Sequence, residues 1–180
     1  MPPSPARERT LVVESVQVVG PVAPAIPEIQ KRLVFVRPSK DLPARSAAQQ
    51  IVERFAARAY RRPLSSSELT LLLKIFDLAD SNGEVFEEAL KLTLKATLLS
   101  PQFLFRIERD RAGVKADANG AAPLDDYELA SRLSYFLWSS QPDDELLALA
   151  AQGKLQDVAT LREQVKRLLG DHRSHAFTAT

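Results

Sequence analysis

The chain is 180 residues long, 45% hydrophobic and 26% charged, enough for one sizeable core or two small ones and unlike a disordered composition. Lys and Arg number 24 and Asp and Glu 23, a formal charge of +1, so no global field draws the chain to nucleic acid or acidic lipid. There is no cysteine, which excludes disulfides, thiolate zinc sites, iron–sulfur clusters, a cysteine nucleophile and covalent haem attachment.

The opening residues, Met1 to Arg9, hold no apolar stretch and cannot act as a signal peptide as they stand; in an exported parent the signal would lie upstream. No segment approaches the roughly 18 uninterrupted apolar residues of a membrane span. Thr10–Val19 is rich in β-branched residues and reads as one strand ending at Gly20-Pro21. Nothing nearby pairs with it, so it is expected to be an orphan β-strand, the last of a sheet that precedes it. Residues 23–44 carry Pro24, Pro27, Pro38 and Pro43 and read as an extended, Pro-rich linker with one short apolar segment, Leu33 to Val36.

From about Arg45 the apolar period becomes helical. Ile51, Val52, Phe55 and Ala59 stripe a first helix that closes on Arg58, Arg61 and Arg62 before Pro63. Ser65-x-x-Glu68 opens a second as a capping box, each side chain satisfying a free backbone N–H of the other. Leu69, Leu71, Leu72, Leu73, Ile75, Phe76 and Leu78 cover most of that helix's circumference, so it is expected to be central. After Ser81-Asn82-Gly83 a third helix runs to about Leu99, with Glu87 and Lys91 in the favourable i,i+4 order. Ser100-Pro101 restarts the chain into a short apolar helix carrying Phe103, Leu104, Phe105 and Ile107. These elements make a first helical domain at 45–109.

Residues 110–123 are small, polar and aperiodic, a flexible linker. A second helical domain, cut short within 124–180, starts at Asp125-x-x-Glu128 and is striped by Leu129, Leu133, Phe136 and Leu137 as far as Trp138. Pro142-Asp143-Asp144-Glu145 opens the next helix, with Gly153 as its left-handed cap. Asp157 caps a further helix carrying Leu161, Val165, Leu168 and Leu169, and Asp171 begins another. The expected fold is mainly α: tandem small helical units preceded by one orphan β-strand and a Pro-rich linker.

Four groups of residues invite a functional reading. Asp125/Asp126 and Asp143/Asp144 with Glu145 are paired carboxylates of the kind used in acid–base or metal chemistry, but both stand at helix starts, where capping is sufficient reason for them. His172 and His175 share a helix face at a metal-ligand spacing, with no third ligand near in sequence. Arg58, Arg61 and Arg62, with Arg106, Arg109 and Arg111, resemble an anion patch, yet each cluster closes a helix, where cations offset the dipole. Arg132, Tyr135 and Trp138 recur at i, i+3 and i+6; they could form a sugar-stacking or haem-facing surface, against the plainer reading of core or domain interface. No Gly-rich phosphate loop, Ser-centred elbow or H-E-x-x-H motif is present. No catalytic, cofactor-binding or metal residue is therefore assigned.

Three strings carry a family resemblance: Ala59-Tyr60-Arg61-Arg62-Pro63, the run from Leu99 to Glu108 (LSPQFLFRIE), and the run from Glu128 to Leu146 (ELASRLSYFLWSSQPDDEL). The chain resembles, over roughly residues 30–180, the tandem helical domains of unknown function of large, exported planctomycete-type proteins, often found beside a cytochrome c module. The resemblance implies a parent with a haem-binding module, a β-sandwich resembling carbohydrate-binding domains, these helical domains and further helical ones downstream. Residues 1–22 would then be the tail of the sandwich, and haem c would sit in a neighbouring module, with no cofactor in this chain. Relatives often carry a cysteine where Val36 stands and another near Ala47; both are absent here.

The expected function is that of a structural or interaction module of an exported, cytochrome-c-associated protein, with the adjacent domains as partners. The alternative is the helical part of an oxidoreductase or carbohydrate-active enzyme whose haem or other catalytic groups lie outside this chain. A third reading is binding of sugar or peptide through Tyr135 and Trp138. Nucleic acid and a membrane span are not expected.

Overall fold

In the computed structural model, which describes residues 28–105 and 123–178, every regular element is helical. The strand expected over Thr10–Val19 lies outside the described residues, as do nearly all of the 110–123 linker and Arg106, Arg109 and Arg111. Among the described residues there is no strand.

The extended linker expected over 23–44 is interrupted by a short helix, α1 (Glu28–Leu33). Leu33, Val34, Val36 and Ala44 pack against the first core, so this stretch is part of the folded unit and not a spacer. The prolines had argued for extension, but two of them, Pro27 and Pro38, flank the helix and the apolar run and leave both uninterrupted.

That core is built by α2 (Ala44–Tyr60), α3 (Ser66–Ser81) and α4 (Phe86–Leu99), which pack on one another. Ile51, Val52, Ala56, Leu72, Phe76, Ala89 and Leu90 are buried between them, and the Phe76 and Phe86 rings meet edge to face at 5.9 Å. The Ser65/Glu68 capping box forms as read. α3 is less central than its composition implies: Leu72, Leu73, Phe76 and Ala79 are buried, whereas Leu71 and Leu78 are each 64% exposed. Two partner helices, α2 and α4, cover only part of its circumference. Glu87 does not reach Lys91; it pairs with Arg37, and Lys91 takes Glu88 at 3.1 Å.

α5 (Pro101–Leu104) starts at Ser100-Pro101 but ends sooner than expected, because Phe105 is already extended (φ −116, ψ 151). Leu104 and Phe105 are exposed.

The second unit comprises α6 (Asp126–Trp138), α7 (Asp144–Ala151), α8 (Val158–Gly170), a 3-10 turn (His172–Ser174) and α9 (His175–Thr178). Its core is Ala130, Leu137, Trp138, Leu146, Ala150, Leu155 and Leu168. Asp125, Asp143, Asp157 and Asp171 cap its successive starts through their carboxylates, and Gly153 takes the left-handed φ of 64° that turns the chain after α7. Phe136 and Leu169, read as stripe residues, are exposed, and Phe136 packs against the Phe177 ring at 5.0 Å.

Candidate functional site

The three arginines at the end of α2 go to three different destinations. Arg58 forms an exposed ion pair with Asp144 of the second unit. Arg61 is 5% exposed and left-handed (φ 60°), a conformation that is uncommon for a residue with a side chain. It ends α2, returning its backbone N–H to Arg58 while its guanidinium reaches the carbonyls of Gln102 (3.0 Å) and Phe105 (3.1 Å). These carbonyls close α5, so the cation meets the negative end of that helix and clamps it to α2. Arg62 grips Glu68 with two hydrogen bonds, at 2.9 and 2.6 Å. That grip, outweighing the burial of the carboxyl, lowers the Glu68 pKa from 4.5 to about 2.

The acidic pairs divide in the same way. Asp125 exchanges capping bonds with Glu128, and Asp126 accepts the Leu155 N–H at 2.7 Å, tying the α7–α8 connection to the start of α6. Asp143 caps α7 through the Leu146 N–H and receives two bonds from Arg167, at 2.7 and 3.1 Å. Burial pushes the Asp143 carboxyl up, but Arg167 and the Leu146 N–H together hold it below its ordinary value. Glu145 accepts from Gln164 at 2.8 Å. Asp143 and Glu145 share Arg167 while Asp144 turns to Arg58, so these carboxylates close caps and ion pairs and do not converge on a reacting atom.

Arg132, Tyr135 and Trp138 do not make one surface. Trp138 is 3% exposed, and its indole N–H donates to the Leu168 carbonyl at 2.9 Å. The Arg173 guanidinium stacks on its ring at 3.5 Å. Tyr135 points the other way, toward the first unit, where Arg61 lies 5.9 Å from its ring centre. His172 is exposed beside Asp171, 3.2 Å away, and no cluster of three metal-ligating side chains occurs among the described residues.

The two units meet lightly, and between them opens a cleft of about 750 Å³. Tyr60, Arg61, Arg62 and Gln102 form its wall on the first unit; Asp125, Tyr127, Arg132 and Tyr135 are among those facing them from the second. A smaller recess of about 370 Å³ lies beside it, around Arg58, Tyr127 and Asp144. Both fall within the size range of small-ligand sites.

Residues 47–108 match the family model described as PSD5, protein of unknown function (DUF1595), and residues 124–180 match PSD4, protein of unknown function (DUF1592). The chain carries these two domains of unknown function in tandem. No curated protein and no solved structure matches it.

The cleft thus lies between the PSD5 and PSD4 segments, and sequence reasoning did not find it. Tyr60 and Tyr127 were passed over because one sits among core residues and the other beside a capping box. Their signal was compositional: the chain has three tyrosines, and all three line this cleft. Arg167 and Arg173 were missed as well, because a stacking or bidentate arginine on a short helix looks in sequence like any solvated cation.

Proposed function

We propose that the chain is a packing and docking module, without a catalytic site of its own, inside a larger exported protein of the planctomycete, cytochrome-c-associated type. What supports this reading is the employment of its conspicuous charged residues: Arg61, Asp126, Asp143 and Arg167 each complete a helix end or bridge two elements. Residues engaged in this way are poorly placed to serve as acid, base or ligand to a substrate. Export and the haem neighbour rest on the sequence resemblance alone. No helix among the described residues is long and apolar enough to cross a membrane.

The rival reading, a helical part of an oxidoreductase or carbohydrate-active enzyme, draws on one observation, the cleft of about 750 Å³ between the units. An absorption spectrum, redox titration and metal analysis of the full-length parent, repeated on the parent lacking residues 45–180, separate the two. The packing module predicts an unchanged haem signal and potential; a change in either would transfer the chain to the redox site.

A further inference from the structure

We propose that the cleft between the two units is a binding site for a neutral, polyhydroxylated ligand, a saccharide of one or two rings, which bridges the PSD5 and PSD4 segments. Its charged walls are already satisfied from within. The Arg61 guanidinium is taken by backbone carbonyls, Arg62 by Glu68, and Arg132 and Glu128 are engaged inside the chain. Among the described residues an anion would therefore find no unpaired cation in this cleft, and its own hydration would have to be given up without return.

The hydrogen-bonding capacity left over among the described lining residues belongs to the Tyr60 and Tyr127 hydroxyls, one carboxylate oxygen of Asp125, the Gln102 carboxamide and the Ser131 hydroxyl. Tyr60 is 6% exposed and lines the cleft, yet its hydroxyl makes no hydrogen bond. Among the described residues Ser140 Oγ alone is sealed from solvent without a partner, so the Tyr60 hydroxyl oxygen still reaches the open cleft. The Tyr127 hydroxyl, on the facing wall, is likewise without a hydrogen bond. Asp125 uses one carboxylate oxygen to cap Glu128 and leaves the other able to accept. Two donor–acceptor hydroxyls and an acceptor oxygen, set among the rings of Tyr127 and Tyr135 and the apolar Leu129 and Leu133, match the alternating hydroxyl edge and C–H face of a sugar ring. A purely apolar ligand would leave these groups dry and unpaired. A neutral peptide, which could pair with the Gln102 carboxamide, is the nearest competitor and is therefore a control in the test.

The test is calorimetric and NMR titration of the whole chain with cellobiose, maltose and diacetylchitobiose, with citrate and a capped alanine peptide as controls. At least one disaccharide is expected to bind and to shift resonances of Tyr60 and Tyr127. Tyr60→Phe and Tyr127→Phe should each weaken that binding about five-fold, the loss of one hydrogen bond, and leave the melting temperature unchanged. The proposal is overturned if none of the three sugars binds, if the two variants bind as tightly as the parent sequence, or if citrate or the peptide occupies the cleft instead.

Discussion

The two halves of the chain solve the same packing problem with different chemistry. In the first unit, three helices of 14 to 17 residues bury a continuous set of aliphatic side chains and Phe76. In the second, shorter helices enclose a smaller core, and polar groups hold its ends together: Asp143 with Arg167, Asp126 with the Leu155 N–H, and Trp138 between the Leu168 carbonyl and Arg173. Short helices present less apolar face and more unpaired termini per residue, so capping and ion pairing bear a larger share of the stability. Acidic and basic residues that cluster for this reason are easily mistaken for an active site.

The largest expected effect lies in the apolar unit. Phe76→Ala empties a site that is 1% exposed, and chemical denaturation should show a loss of about 3–5 kcal/mol. A loss below about 1 kcal/mol would mean that α2, α3 and α4 do not share one core. Next comes the polar unit: Trp138→Phe keeps an aromatic ring but strands the Leu168 carbonyl, and should cost about 2–3 kcal/mol in the same assay.

Acid sharpens the contrast. Among the described residues, Glu68 alone carries a depressed carboxyl in the first unit, whereas Asp143, Asp157 and Asp171 all do in the second. A carboxyl whose pKa is lower folded than unfolded contributes stability that is present above its unfolded value and lost as pH falls through the folded one. Amide exchange recorded from pH 6 downward should therefore show residues 126–170 losing more protection than residues 47–97, beginning below about pH 4. The Glu68 contribution should be lost progressively from about pH 4.5 down to its folded pKa of about 2. The smallest effect belongs to the link between the halves: Arg58 and Asp144 are 53% and 88% exposed, so Arg58→Ala should change stability by less than about 1 kcal/mol. Small-angle scattering should nonetheless detect a wider spread of interunit distances.

Local signals in this chain were legible wherever one residue decides a local geometry. The capping boxes at Ser65/Glu68 and Asp125/Glu128, the caps at Asp143 and Asp157 and the left-handed Gly153 all read directly from the sequence. What required coordinates was anything set by a partner distant in sequence. Leu71 and Leu78 look as apolar as Leu72, and only the placement of α2 and α4 decides which of them faces water. Arg61 reads as a helix-end cation, but its reach across to Gln102 and Phe105 depends on where α5 folds back. The short helix Glu28–Leu33 was hidden by its flanking prolines, and the cleft by the separation of Tyr60 from Tyr127 along the chain.

The central claim is that the conspicuous charged residues of the second unit hold its fold and do not serve a substrate. Residues kept for function at the expense of stability become neutral or stabilising when replaced, whereas those that hold a fold do not. Asp143→Asn and Arg167→Met, compared with the parent sequence by chemical denaturation and by amide exchange, decide between the two. We expect each to lower stability by about 2 kcal/mol, with protection lost in residues 126–170 and retained in 47–97. Variants as stable as the parent sequence, or more so, would contradict the claim and mark this pair as a site.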